Sequence, residues 1–384
     1  MAIYFGTFFL SAFFLLIAEK TRGPYRKIII AIGLFMPIML AGMRKIGIGT
    51  DTEVYVNVLY EAARSSSGFF DYLGQKVYSS FQIKPVTSWE IGYNLLVYIS
   101  TKVTNSYQGV LFATNLLTIT FVYKGLEKLD TNFSRAFAML IFYFMFYASS
   151  LNLMRQWIAV AIIFYGFHFI QEGQTKKYLF CVILAMLFHN SAIIGIIIWL
   201  ICIYFEKFNS KHGLAIGGKE LDSNLNNLII FTIVCVSFLL GISIVANILG
   251  SINAVFARYA RLYISGSMKL VPMQIIRRLP IILLLIINWK RLNSVDKNVP
   301  FYYAMVVLDV TISQLGSLTS QSSRMGYFFS IFEIVILAEL TRGRRKDWKI
   351  LYGLVLILYG TMSFYYDIVL MGRSEIVPYL FYFN

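Results

Sequence analysis

Charge is what this sequence most lacks. Of its 384 residues only 14% are Asp, Glu, Lys or Arg, while 58% are hydrophobic and 17% aromatic. The apolar stretches repeatedly approach the roughly 20 residues needed to cross a bilayer, which makes the chain a helical membrane protein. They are continuous runs, without the alternation of barrel strands, and that excludes a β-barrel. Acid is scarcer still, with 19 Asp and Glu against 34 Lys and Arg. In a soluble protein the resulting +15 would point to nucleic acid. Here most lysines lie in short loops between apolar runs, the positive-inside signature, and no nucleic-acid partner is expected. Cysteine is rare too: Cys181, Cys202 and Cys235 all sit in apolar segments, with neither a disulfide framework nor metal-ligand spacing. His168, His189 and His212 are too scattered for a zinc site. No P-loop, dinucleotide fingerprint, Gly-x-Ser-x-Gly elbow or His-Glu-x-x-His helix occurs, which argues against nucleotide-driven chemistry. No cofactor is expected, and no metal, although Asp51-Thr52-Glu53 is an acidic pair with a spacing related to a metal clamp.

Basic loops set the orientation. Lys20, Arg22, Arg26 and Lys27 in one loop, and Arg342, Arg344, Arg345, Lys346 and Lys349 in another, place both on the cytoplasmic side. Spans then fit at about 3–18, 28–43, 107–123, 133–150, 155–171, 178–189, 190–205, 227–249, 272–289, 300–316, 324–340 and 349–367. That is an all-α polytopic bundle of about twelve spans with both termini outside. The first segment lacks a basic n-region and a small-residue cleavage site and reads as a retained span. Residues 178–205 are either one long helix or two short halves meeting at His189-Asn190-Ser191; two halves keep both basic loops inside, and one long tilted helix with a further half-span elsewhere does so equally well. The chain reads as a single membrane domain over 1–384, with an outer loop at 44–105 and a Gly-, Lys- and Asn-rich cytoplasmic linker at 206–226. Within the loop, Trp89 to Thr104 is apolar enough for an interfacial helix.

On this topology nine arginines face outward: Arg44, Arg64, Arg155, Arg258, Arg261, Arg277, Arg278, Arg324 and Arg373. Arginine at a membrane span is costly and usually functional, and the group suggests a face that holds an anion. Arg155 opens a span with no acidic neighbour beside it in sequence, Gln156 follows it, and His189 ends the next span. Consecutive antiparallel helices with short links are normally neighbours, so Arg155 and His189 are expected at one outer cavity. Snorkelling to lipid phosphate is the competing account of Arg155. A lone helix histidine is more often structural, but burial in a membrane shifts His189 toward function, as a proton acceptor or a donor to phosphate.

The stretch Arg44-Lys45-Ile46-Gly47-Ile48-Gly49-Thr50-Asp51-Thr52-Glu53-Val54-Tyr55 combines cations, glycines and carboxylates. Glycine lets backbone N–H groups approach an anion, and Arg44 offers a fork of donors. Thr50 and Glu53 also read as a capping box, which leaves Asp51 less well explained. In the C-terminal half Arg258 and Arg261 lie in an outer loop, Arg277-Arg278 begins a span, and Arg324 starts the span that carries Glu333. Asp309 and Glu333 sit deep in apolar surroundings, either neutral or paired with neighbouring cations, or as a proton path.

The order of these motifs resembles the EpsG family, related to the Wzy-type polysaccharide polymerases: Arg44 to Asp51 after the second span, Met154-Arg155-Gln156, Phe188-His189-Asn190-Ser191-Ala192 and the terminal Val377-Pro378-Tyr379. The resemblance covers most of the chain. It implies a GT-C-like glycosyltransferase of the bacterial cytoplasmic membrane that uses undecaprenyl-diphosphate-linked oligosaccharides on the outer face. A growing chain would move from its lipid diphosphate to an incoming unit, with a chain-length regulator and a flippase as candidate partners. Arginines in a low-dielectric cavity stabilise the charge that builds on a leaving diphosphate. Arg44, Arg155 and Arg324 lead that set, with Arg258, Arg277 and Arg278 beside them. His189, or else Asp51, is the expected base, and Glu53, Tyr55, Gln156 and Asn190 give glycan or structural support. The long arginine-rich outer loops of the better-known polymerases are missing. The competing readings are a lipid-linked oligosaccharide flippase, coupled to protons through Asp309 and Glu333, and a non-catalytic subunit of a synthesis complex. A one-sided arginine set without an internal repeat favours the enzyme.

Overall fold

The computed structural model describes residues 1–129, 133–207, 215–216, 219–220, 222–252, 269–318, 323–342 and 345–383. Arg258, Arg261 and His212 lie outside them, as does much of the linker at 206–226. The described residues are mostly helical, and seven helices are long and apolar enough to cross a membrane: Ala2–Lys20, Tyr25–Gly42, Tyr107–Lys128, Ser223–Gly241, Pro272–Asn293, Val299–Ser317 and Lys346–Leu370. The protein is a multi-pass, all-α membrane protein.

Contacts divide the chain into two compact units, Met1–Ile193 with Thr341–Asn384, and Ile194–Leu340. The first holds α1 (Ala2–Lys20), α2 (Tyr25–Gly42), α3 (Asn57–Ser65), α4 (Phe69–Gly74), α5 (Ile91–Thr104), α6 (Tyr107–Lys128), α7 (Arg135–Asn152), α8 (Met154–Gln171) and α9 (Thr175–Met186), with the long helix Lys346–Tyr365 packed on α7. At its centre is α8. Apart from Arg155, Tyr165, Phe169 and Gln171, every residue of α8 is buried, as its uniformly apolar surface requires. Phe142 and Phe146 of α7 close on Trp157 of α8 with ring centroids 5.8 and 5.3 Å apart. Gly125 of α6 and Gly166 of α8 let neighbouring helices approach: a Cβ at Gly125 would meet the Phe164 ring at 2.6 Å, and one at Gly166 would meet Cys181 at 2.9 Å.

The loop between α2 and α6 is ordered by local devices. A π-helical turn, Thr52–Val56, leads into α3, and a two-stranded antiparallel hairpin, Lys76–Ser79 with Gln82–Pro85, precedes α5. The expected interfacial helix is α5. Gly92 near its start donates to the carbonyl of Leu187 at 2.8 Å, and a Cβ there would lie 2.7 Å from that oxygen. The absent side chain thus lets α5 dock on the end of α9 and satisfy one of its orphan carbonyls.

The chain breaks at His189. After α9 the turn closes through His189 N to Ala185 O at 3.0 Å, a 3₁₀ turn covers Asn190–Ile193, and α10 (Ile194–Lys207) begins the second unit. That unit also contains α11 (Ser223–Ile252), α12 (Pro272–Val295), α13 (Val299–Gln314) and two short helices, Tyr327–Ser330 and Glu333–Glu339. The expected continuous span at 324–340 is therefore two pieces joined by turns. Gly326 comes close enough to α13 that a Cβ on it would sit 3.3 Å from Asp309 Oδ1.

Candidate active site

Four segments of the first unit meet at its loop end: the Arg44–Tyr55 stretch, the start of α5, the start of α8 and the turn after α9. Arg155 forms an ion pair with Glu90, the residue before α5, and its guanidinium lies 4.9 Å from the centroid of the Tyr55 ring. Tyr55 donates its hydroxyl to Asp51 one helical turn earlier and meets Tyr93 edge-on at 5.5 Å. Asp51 N–H donates to Asn152 Oδ1 at 3.3 Å, which ties the turn to the link between α7 and α8. The other oxygen of Glu90 accepts from Asn190 N–H at 3.3 Å. A polar ladder thus runs from Asp51 through Tyr55, Arg155 and Glu90 to Asn190, beside His189.

Glu90 was not singled out in the sequence. The expectation that Arg155 lacks an acidic neighbour holds along the chain and fails in space, because the partner arrives from 65 residues away, just before α5. Its signal was present: an acid opening an apolar interfacial segment, in a chain with little acid to spare.

His189 is half-buried, and its Nδ1 lies 2.6 Å from Ser191 Oγ. The Ser191 backbone N–H, which can only donate, points at the same nitrogen at 3.3 Å. Nδ1 is therefore an acceptor, and the neutral ring carries its proton on Nε2. Burial raises the pKa of the Tyr55 hydroxyl well above its ordinary value, and the adjacent Asp51 raises it further. Tyr55 stays a hydrogen-bond donor throughout the physiological range.

Arg44 is placed differently from Arg155. Its residue is fully buried; Nη2 points at Met154 Sδ at 3.1 Å, while Nε and Nη1 have no hydrogen-bond partner among the described residues. Burial lowers its pKa below the ordinary arginine value, and the hydroxyls of Tyr147, Tyr4, Tyr379 and Tyr55 act in the opposite direction. The terminal segment forms the cover: Tyr4 donates to Ile376 O at 2.7 Å, Tyr379 to Leu40 O at 2.7 Å, Lys45 N–H to Leu380 O and Tyr382 N–H to Met43 O, both at 3.0 Å. In this conformation the Arg44 guanidinium is sealed from the surface. The glycines beside it also depart from expectation. Gly47 N–H donates to Thr52 Oγ1 at 2.9 Å and Gly49 N–H to Glu375 O at 3.1 Å, so neither is an open anion donor. The capping box does not form either: Thr50 Oγ1 bonds Glu375 at 3.3 Å, and Thr52, bonded to Gly49 O at 2.7 Å, closes the turn. Glu53 is exposed, and Gln156 is buried at the start of α8.

Arg64 pairs with Glu61 at 3.6 Å and Arg373 with Asp367 at 2.8 Å. In the second unit Arg278 forms an ion pair with Asp309 and donates to Gln274 O and Oε1 at 3.1 and 2.9 Å. Glu333, 3% exposed, hydrogen-bonds Asp309. The two deep carboxyls thus share one arginine. Arg277 and Arg324 of the same unit are half-buried. Among the described residues no group of three or more His, Cys, Asp or Glu gathers as a metal site.

The EpsG family model matches residues 27–381, and the chain belongs to that family of Wzy-like polymerases. Membership suggests a polymerase-type function in exopolysaccharide or O-antigen synthesis. No curated protein and no solved structure matches the chain.

Proposed function

We propose that this member of the EpsG family is a polysaccharide polymerase, which transfers a growing glycan from undecaprenyl diphosphate to the hydroxyl of an incoming lipid-linked repeat unit on the outer face of the bacterial cytoplasmic membrane. The observation that carries this reading is the ladder Asp51, Tyr55, Arg155, Glu90 and Asn190 beside His189 at one end of the first unit. In the reaction the anomeric carbon–oxygen bond to the diphosphate breaks, a bond to the acceptor oxygen forms, and the hydroxyl proton passes to a base. Undecaprenyl diphosphate leaves with the bonding electrons. Arg155 is the diphosphate ligand; Glu90 on one side and the Tyr55 face on the other hold its planar fork in a fixed direction. His189, with its proton on Nε2, donates to a phosphate oxygen, and Asp51 takes the acceptor proton. Arg44 contributes its positive field from beneath without touching substrate. Purified protein supplied with lipid-linked repeat units and no nucleotide sugar should give a ladder of longer products; folded protein that gives none refutes the assignment.

A second reading, a lipid-linked oligosaccharide flippase, draws on the buried Arg278–Asp309–Glu333 group, the kind of intramembrane cluster that proton-coupled carriers use. It requires movement of lipid-linked substrate between leaflets, driven by a proton gradient and lost in Glu333→Gln.

A further inference from the structure

The first unit carries a concavity at the end of α2 away from Arg44. A cavity of about 720 Å³ lies between α2, α6 and the loop that joins α1 to α2. Its walls are apolar, with Leu34, Phe35 and Ile38 on α2 and Leu116 on α6. Phe35 and Leu116 are 49% and 41% exposed, so the groove faces the surroundings of the helices, whereas Leu34 and Ile38 form a buried floor. The lining of α2 runs from Arg26 to Ile38, which at the helical rise is roughly 18 Å. One end alone is charged: Arg22, Arg26, Lys27 and Lys124 form the rim, opposed by a single carboxylate, Glu127, which bridges Arg26 at 3.2 Å. This is the loop that the positive-inside pattern assigns to the cytoplasm.

We propose that this groove is a binding site for an anionic phospholipid, phosphatidylglycerol in a bacterial membrane, with its phosphate on the Arg22, Lys27 and Lys124 rim and an acyl chain along Leu34, Phe35 and Ile38. Two features select a lipid over a soluble anion or a partner helix. The cations gather at one end of a long apolar trough, matching a molecule charged at one end, and basic pockets between helices on the cytoplasmic side recur as anionic headgroup sites. The volume falls within the range of small-ligand sites, whereas an added helix needs a continuous face. The site lies at the other end of the unit from Arg155 and Glu90, and binding is read without any transfer reaction.

The test uses the full chain, delipidated in detergent, with bound lipid counted by native mass spectrometry and thermal unfolding followed in parallel. Phosphatidylglycerol should be retained over phosphatidylcholine by about tenfold or more, given the contribution of each basic contact near a headgroup, and should raise the unfolding temperature. The triple variant Arg22→Gln, Lys27→Gln, Lys124→Gln should lose that preference. Ala31→Trp, an exposed lining position, should block the trough and lose retention with the charges intact, which keeps the proposal testable if the triple variant folds poorly. Equal retention of both lipids, an equal stabilisation by glycerol 3-phosphate alone, or unchanged retention in Ala31→Trp would overturn it.

Discussion

Glu90 and Arg155 form an ion pair whose side chains are 11% and 22% exposed, dry enough that the loss of one charge leaves the other poorly solvated. Glu90→Gln is therefore expected to destabilise the protein by about 3 kcal/mol, in the range found when one member of a buried pair is removed. The double variant Glu90→Gln, Arg155→Met should recover part of this, and unfolding of all four forms in detergent measures the coupling. Activity separates the roles. Arg155→Ala should abolish the product ladder in protein that still folds, and Arg155→Lys should restore a minor fraction, because an ammonium supplies charge without the two parallel donors. Full activity in Arg155→Ala would remove it from the site. The same residues show how far sequence reading reaches. Arg155 was legible as a charge at the edge of an apolar run, a one-dimensional signal. Its partner was not, since 65 residues and a helix docking event separate them.

At the scale of elements, two glycines fix the architecture of the site. Gly92 has Leu187 O where a Cβ would go, and Gly49, at φ +84°, would place a Cβ 3.1 Å from Leu151 O. Gly92→Ala should push α5 away from α9 and carry Glu90 with it, at about 1–3 kcal/mol of overpacking. A ladder that shortens together with a drop in unfolding temperature is the expected outcome; an unchanged ladder would show that α5 does not position Glu90. The helices themselves were largely legible, because continuous apolar runs bounded by basic loops leave few alternatives in lipid. The break at His189 was legible as one of two options, between which the orientation pattern did not decide. Local rules failed where a distant segment competed. Thr50 and Glu53 spell a cap, but the Thr50 hydroxyl bonds Glu375 of the terminal segment instead. The single span expected at 324–340 gives way to two short helices, Tyr327–Ser330 and Glu333–Glu339, with a turn at Ile331 and Phe332 between them.

At the scale of the whole molecule, contacts divide the chain into two units, each with its own buried arginine network. The networks separate the two functional readings. Asp309→Asn and Glu333→Gln should lower the stability of the second unit, and if the protein is a polymerase they should leave ladder formation without any dependence on a proton gradient. Product formation measured in vesicles with and without a pH difference checks this. The first unit is closed by the C-terminal segment, which covers Arg44 and bonds Tyr4 across 372 positions of sequence. A ribosome therefore inserts α1 and α2 long before residues 376–381 exist to seal them. Until then Arg44, just past α2, lacks the cover that Tyr379 and Phe381 give it, so this unit closes only after residues 376–381 have been made.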